Sequence, residues 1–89
     1  MRAVISVIGK DRPGILAFAA KECASRNINI EDVTQKVLEN IFTMIMIVTV
    51  PEDSELYHSF VREFEAAGEA QGLKIHVMHE DIFNAMHRI

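Results

Sequence analysis

The chain has 89 residues, of which 13 are acidic and 9 basic, and its formal net charge is −4. Because neither sign is gathered into a tail or patch, the charge argues against a surface for nucleic acid or for an anionic membrane. The single cysteine, Cys23, excludes an intramolecular disulfide and a multi-cysteine metal site. The length predicts one domain over residues 1–89, and at this size further burial through oligomerisation favours stability.

Nothing in the sequence resembles a signal peptide, because the apolar run after Arg2 is broken by Ser6 and is followed by charges. The longest apolar run, residues 41–50, has about half the length of a membrane span. We therefore expect a soluble, cytoplasmic protein without contact to a membrane.

The first predicted elements are a strand, a turn and a helix. Residues 2–8 are apolar at nearly every position, which predicts a strand covered on both faces and central in its sheet. The turn Gly9-Lys10-Asp11-Arg12-Pro13 follows, and residues 14–26 repeat their apolar positions at helical spacing. Pro13 suits the first turn of this helix, because its missing N–H costs nothing there.

The start of this helix has two interpretations. The N–H groups of Gly14, Ile15 and Leu16 have no partner inside a helix, and the helix dipole adds about half a positive charge to them. A carboxylate would bind favourably there, and Gly14 lacks the Cβ that would keep a ligand away. Alternatively, Asp11 caps its own helix by accepting from these N–H groups.

The second strand is predicted at the edge of the sheet. Asn27 can adopt the left-handed conformation that ends a helix, and residues 28–37 carry polar side chains on both faces, as edge strands do. Strict alternation assigns two opposite faces: Ile28, Ile30, Asp32, Thr34 and Lys36 against Asn29, Glu31, Val33, Gln35 and Val37. Glu39-Asn40 predicts a hairpin turn, in which the asparagine takes the positive φ.

Residues 41–50 predict a strand in the middle of the sheet, because both of its faces are apolar enough to need cover. One face carries Phe42, Met44, Met46, Val48 and Val50, and the other carries Ile41, Thr43, Ile45, Ile47 and Thr49. The methionines are interpreted as core side chains rather than as a soft-metal site.

The last third of the chain predicts helix, strand and helix. Asp53 or Ser54 can cap a helix that runs to about Gln71, and Gly72 suits the position after its end. Residues 73–80 predict a strand with Leu73, Ile75, Val77 and His79 on one face and Lys74, His76 and Met78 on the other. A terminal helix from Asp81 to about Arg88 has one apolar side, made of Ile82, Phe83, Met86 and Ile89.

The order β-α-β-β-α-β with a short terminal helix predicts a ferredoxin-like α/β (α+β) sandwich. Its antiparallel sheet has the order 4-1-3-2, so the two strands with apolar faces lie in the centre, and both long helices cover one face. We expect the other face to be covered by a second copy or by the terminal helix, and thus at least a dimer.

Few residues have the spacing of a catalytic or metal site. His76 and His79 are an odd number of residues apart on a strand and point to opposite faces, so they cannot share an ion within one subunit. His58 and His87 lack the spacing of a helical zinc pair. No phosphate-binding glycine loop and no nucleophile–histidine–acid set is present. We therefore expect no enzyme activity and no cofactor, with a metal sensor shared between subunits as a minor alternative.

The turn Gly9-Lys10-Asp11-Arg12-Pro13-Gly14-Ile15, set between an apolar strand and an alanine-rich helix, resembles the ACT domain, and so does the later Asn27-Ile28-Asn29-Ile30. The resemblance covers essentially the whole chain. It is strongest to small stand-alone ACT proteins related to the repressor of the glycine cleavage system and to the N-terminal domain of formyltetrahydrofolate deformylase.

The resemblance implies a regulatory module that binds a small amino acid where two ACT domains associate. The effector then lies between the strand-one/helix-one turn of one subunit and strand two of the other. The residues that match are Asp11, Gly14, Ile15 and Leu16 in the turn and Asn29 in strand two. Many ACT turns carry Asn where this chain has Asp11. Any effect must pass to a separate enzyme or regulator, and the alternative is an interaction module without ligand.

Overall fold

The computed structural model describes residues 1–86. Its elements are β1 (Arg2–Lys10), α1 (Ile15–Ala24), β2 (Asn29–Leu38), β3 (Ile41–Thr49), α2 (Ser54–Ala70), β4 (Leu73–His79) and α3 (Glu80–Met86). The four strands form one antiparallel sheet in the order β2-β3-β1-β4. The predicted ferredoxin-like fold, its 4-1-3-2 strand order and its C-terminal helix are confirmed. The predicted end of that helix near Arg88, and with it His87 and Ile89, lies outside the described residues.

The hydrophobic core lies between the sheet and the two longer helices. Ile5 of β1 and Met44 and Met46 of β3 have no exposed surface, and the rings of Phe60 and Phe64 on α2 stack above them with centroids 5.3 Å apart. The prediction that the methionines fill the core is therefore confirmed. Burial of this face orients β1 and β3, because a shift of one residue would expose the whole set.

Several local signals act as predicted. Asp53 caps α2 by accepting hydrogen bonds from the N–H groups of Glu55 (3.0 Å) and Leu56 (3.2 Å). Gly72 follows the end of α2 with φ of 75°, and Asn27 follows α1 with φ of 61°. In the hairpin between β2 and β3, however, the positive φ of 58° belongs to Glu39 rather than to Asn40.

Helix α1 is shorter than predicted. It begins at Ile15 and ends at Ala24, so Pro13 precedes the helix instead of occupying its first turn. Gly14 is the N-cap with φ of 91°, a left-handed conformation that favours glycine. Space around Gly14 is open, since an added Cβ would meet no atom within 4 Å. The glycine is therefore required by backbone conformation.

The predicted faces of β2 are wrong because the strand contains a β-bulge. Ile30 pairs with Val48 and Asp32 pairs with Ile47, so Glu31 is an extra residue on β2. Before and after the bulge, Ile30 and Val33 both pack against the core, whereas strict alternation had put them on opposite faces. The extra residue lets an edge strand keep its apolar side chains inward on both sides of the irregularity.

We call the side of the sheet opposite α1 and α2 the open face. Helix α3 lies on part of it, and Phe83 reaches over a pocket of about 120 Å³ whose other lining residues are Val4, Ser6, Ile45, His76 and Met78. Docking of the terminal helix on the uncovered sheet face, one of the two predicted sites, is thus observed. The cover is partial, because Val4 beneath α3 is 6% exposed whereas Ile8 on the same strand is 44% exposed.

Candidate functional site

Within residues 1–86 no side chain caps the start of α1. Gly14 supplies the first helical acceptor, its carbonyl, to the N–H of Phe18 at 2.9 Å, and no acidic residue lies in the first turn. The N–H of Phe18 is the first that can donate within the helix. The N–H groups of Ile15, Leu16 and Ala17 therefore have no partner in the helix. Gly14, Leu16 and Ala17 are exposed, while the Ile15 side chain is buried in the core. A small anion can therefore approach these N–H groups.

The interpretation of Asp11 as the cap of α1 is wrong. Its backbone N–H donates a 2.8 Å hydrogen bond to the carbonyl of Asn40, and within residues 1–86 no hydrogen bond to its carboxylate is seen. The next residue, Arg12, donates from Nη2 to the carbonyl of Gln71 at 2.7 Å. The turn before α1 is thus held by the β2–β3 hairpin on one side and by the α2–β4 turn on the other.

Close packing below this turn explains a second glycine. A Cβ on Gly9 would lie 2.7 Å from Cδ2 of Leu73 and 3.2 Å from the carbonyl oxygen of Gly72.

The contacts of Asn40, Gln71 and Gly72 with the turn were missed by sequence reasoning. No periodic or motif signal marks them, because they join residues 29 to 63 positions apart in the chain.

Asn29 lies at the opposite end of the sheet. It opens β2 and pairs with Thr49, whereas Asp11 follows the last residue of β1, where β2 ends. A strand of nine residues separates the two ends by roughly 25 Å. Asn29 lines a shallow hollow of about 240 Å³ with Ala24, Asn27 and Ile28. One subunit therefore does not bring Asn29 to Asp11, Gly14, Ile15 and Leu16.

Exposed apolar side chains surround the end of the sheet that carries the turn. We call this set the apolar rim, and its members are Ile8, Leu16, Val37, Leu38 and Ile41. Leu38 is 62% and Ile41 53% exposed, although they flank a hairpin turn, where polar side chains are the usual choice. These side chains lie at one end of the sheet and on both of its sides, and exposed apolar side chains gathered at one place commonly mark a binding interface.

Catalytic or metal-binding chemistry has few candidate groups. Burial raises the pKa of Cys23 to about 11, so its thiol is protonated near neutral pH and is a poor nucleophile. Across residues 1–86, no group of three or more His, Cys, Asp or Glu side chains could hold a metal ion. His76 faces Ser6 on the open face, while Nδ1 of His79 accepts the Asp81 N–H at 3.0 Å.

The family model described as the ACT domain matches residues 2–78. This chain belongs to the ACT-domain family. ACT domains are regulatory, ligand-binding modules.

Among the described residues of this ACT domain, no helix is long and apolar enough to cross a membrane.

Relatives of this ACT domain match it over nearly their whole length. A UPF0237 protein of Methanocaldococcus jannaschii is 46% identical over 88 residues, covering 99% of this chain and 98% of that protein. The structure of an ACT domain protein from Streptococcus pneumoniae is 38% identical with a TM-score of 0.83, covering 98% of each chain.

Two larger proteins share the fold of this ACT domain. Formyltetrahydrofolate deformylase from Burkholderia mallei is 12% identical with a TM-score of 0.73, over 88% of this chain and 28% of the deformylase. A structure assigned as a glycine cleavage system transcriptional repressor is 23% identical with a TM-score of 0.72, over 85% of this chain and 43% of the other. The resemblance stated from the sequence is confirmed at the level of fold.

Proposed function

We propose that this ACT domain is a non-enzymatic, cytoplasmic sensor that binds a small amino acid between two copies of the chain and signals to a separate enzyme or regulator. The observation that carries the proposal is the uncapped start of α1. Asp11 lies three residues before the N-cap Gly14 and does not cap the helix. A Ser, Thr, Asp or Asn at the N-cap satisfies one of these N–H groups with its own side chain, which glycine lacks. Here that role is left for a ligand.

The two charges of an amino acid match the two groups at this turn. The α-carboxylate accepts hydrogen bonds from the N–H groups of Ile15 and Leu16, where the helix dipole favours an anion. The α-ammonium pairs with the carboxylate of Asp11, which would repel a ligand that carried a carboxylate alone. A zwitterion is therefore preferred over a simple carboxylic acid.

The distance between Asn29 and the turn before α1 within one subunit supports a site shared by two subunits. Asn29 is exposed at the far end of the sheet and lines its own hollow. An antiparallel arrangement of two copies side by side brings the turn of one toward the start of β2 in the other. The amide of Asn29 then supplies both a donor and an acceptor for the bound amino acid.

Thermal-shift screening of the twenty amino acids, followed by calorimetry, tests this function. A ligand present at 100 times its Kd stabilises the folded protein by roughly 2.7 kcal/mol, which a melting curve detects readily. Acetate and methylamine, each carrying one charge of the zwitterion, serve as controls and are expected to give no shift. A flat response to all twenty amino acids at millimolar concentration would contradict the proposal.

A second candidate function is supported by the apolar rim. If the rim docks a metabolic enzyme or regulator directly, the domain needs no small ligand. Replacement of Leu38 by Ser would then abolish capture of that partner, whether or not amino acids are present. Under the first proposal, Leu38→Ser leaves the amino-acid response of the melting temperature in place.

A further inference from the structure

Helix α3 and the open face border a small pocket. Phe83 of α3 lies over it, and residues of three strands form its other walls: Val4, Ser6, Ile45, His76 and Met78. These side chains alternate with the core residues of the same strands, so they point away from α1 and α2. The pocket is therefore separate from the start of α1, where the proposed function places its amino acid.

The volume of this pocket suits a small organic molecule. It measures about 120 Å³, and an engineered apolar cavity of about 150 Å³ is known to hold benzene. A hydrocarbon body of about four or five carbon atoms therefore fits. The side chains of Val4, Ile45, Met78 and Phe83 offer such a body apolar contact, as the walls of small-molecule sites commonly do.

Two polar side chains interrupt the apolar lining at one place. Ser6 and His76 are directly opposite each other on β1 and β4, so their Cβ atoms are about 5 Å apart. Among residues 1–86, neither the Ser6 hydroxyl nor the His76 ring has a hydrogen-bond partner. Because a hydroxyl and an imidazole can both donate hydrogen bonds, one head group with two acceptor atoms can bind to both side chains.

The charge beside this polar end of the pocket is positive. Lys74 precedes His76 by two residues on the same face of β4, about 7 Å farther along the strand. It forms no ion pair within the described part of the chain. At the other end of the pocket the charge is balanced, because Nε of Arg2 pairs with Glu80 at 3.2 Å. An anionic head group is therefore favoured next to Ser6 and His76.

The acidic side chains near Lys74 belong to a different hollow. Glu65 and Glu69 of α2 line it together with Lys74 and His76, at the outer edge of β4. Oε2 of Glu65 accepts a hydrogen bond from the N–H of Val77 at 3.2 Å, which holds this carboxylate at the strand edge. Neither acid lines the pocket under Phe83. The pocket itself is thus lined by no acidic side chain.

We propose that this pocket binds a short monocarboxylate with a branched aliphatic body. The body lies under Phe83, between the sheet and α3. The two carboxylate oxygens accept hydrogen bonds from the hydroxyl of Ser6 and from a ring N–H of His76, and Lys74 supplies the opposite charge. Since no acid is present to pair with an α-ammonium, the ligand is a carboxylate without an amino group. This distinguishes it from the amino acid of the proposed function.

An NMR titration of methyl-labelled protein with isovalerate (3-methylbutanoate) tests the site. Saturable shifts are expected for the methyl groups of Val4, Ile45 and Met78, with a Kd on the order of a millimolar. The methyl groups of Ile15, at the start of α1, are expected not to shift, so failure of this site and failure of the proposed function are measured separately. Acetate has the head group without the body, and 3-methylbutanol has the body without the charge. Both are expected to bind at least tenfold more weakly.

Variants of the polar end test how the carboxylate is recognised. Ser6→Ala and His76→Leu each remove one donor and are expected to raise the Kd of isovalerate about fivefold to tenfold. His58→Leu, which changes an exposed histidine of α2, is the matched control and is expected to leave this Kd unchanged. Lys74→Gln is expected to weaken isovalerate about threefold and to leave the binding of 3-methylbutanol unchanged, because only the former carries a charge.

A variant that fills the pocket gives a measurement independent of the head group. Ile45 is half-buried, and Ile45→Phe extends this side chain into the pocket, so the shifts of Val4 and Met78 are expected to disappear. Circular dichroism melting of every variant separates loss of binding from loss of folding. Three results would each overturn the proposal: no saturation at tens of millimolar isovalerate, acetate or 3-methylbutanol binding as tightly as isovalerate, or unchanged isovalerate binding in a folded Ile45→Phe variant.

Discussion

Arg26 donates a 2.7 Å hydrogen bond from Nη2 to Oε1 of Glu63, and this contact joins the segment after α1 to the middle of α2. The same guanidinium contacts Glu22 through Nη1 at 3.0 Å and lies 5.8 Å from the centroid of the Phe60 ring. One cation therefore bridges both long helices at the border of the core, where the apolar stem of arginine packs and its head is paired.

The contact predicts a pH-dependent stability. Hydrogen bonds from Arg26 and then Ser59 hold the pKa of Glu63 below its ordinary value. Because the pKa of Glu63 is lower in the folded than in the unfolded protein, the ionised carboxylate stabilises the folded state at pH values above the unfolded pKa. This contribution is lost as pH falls through the folded pKa. Glu63→Gln is therefore expected to lower Tm at pH 7, and the difference from wild type is expected to disappear as pH falls through the lowered folded pKa of Glu63. Melting curves from pH 2.5 to 7 measure it.

The control is Glu69→Gln, which removes a carboxylate of the same helix that has no ion pair or hydrogen-bond partner within residues 1–86. Its Tm difference from wild type is expected to be small at every pH. An equal, pH-independent loss in both variants would mean that Arg26 does not stabilise the ionised form of Glu63.

Two aspartates that precede helices are expected to differ in their effect on stability. Asp53→Ala removes the acceptor of two N–H groups and is expected to cost about 1 kcal/mol, which lowers Tm by about 4–8 °C in a domain of this size. Asp11→Ala removes no cap and is expected to change stability by less than about 0.5 kcal/mol. Urea denaturation gives both values. Equal losses would restore the capping role of Asp11.

Substitutions at the turn before α1 are expected to separate binding from folding. Asp11→Ala removes the partner of the α-ammonium, so the thermal shift caused by the amino acid is expected to fall while the ligand-free Tm is retained. Gly14→Val puts a β-branched residue at φ of 91° and is expected to reduce both. Asp53→Ala, which changes Tm alone, is the control. An unchanged ligand response in Asp11→Ala would remove this residue from the site.

Close packing of α2 on β4 predicts that a substitution in β4 partly compensates the loss of stability caused by a substitution in α2. A Cβ on Gly68 would meet the side chain of Ile75, with 2.7 Å to Cγ1, and Ile75 is buried. Gly68→Ala is therefore expected to destabilise the fold by about 1–3 kcal/mol through overpacking. Adding Ile75→Val removes the methyl group nearest the clash and is expected to recover part of this loss. A double-mutant cycle by urea denaturation measures the coupling, and simple additivity would argue against the close contact.

Features that depend on neighbouring residues in the chain could be predicted from the sequence. The apolar runs of β1 and β3, the stripes of α1 and α2, the cap at Asp53 and the left-handed position at Gly72 all rest on hydrogen bonds or steric limits within a few residues. The central position of β1 and β3 also followed, because their two apolar faces need cover. A helix start near Gly14 was predictable for the same local reason, whereas the sequence left open whether Asp11 caps it.

Only the tertiary structure decided what Asp11 does, how β2 alternates and where α3 lies. Within residues 1–86 the carboxylate of Asp11 accepts no hydrogen bond, and its turn is held instead by Asn40 and Gln71, residues remote in the chain. The bulge at Glu31 arises because β2 must keep Ile30 and Val33 on the core while paired to β3, which no local propensity encodes. The sequence determines which faces are apolar, whereas the pairing of distant segments determines which of those faces are covered and which remain for a ligand or a second copy.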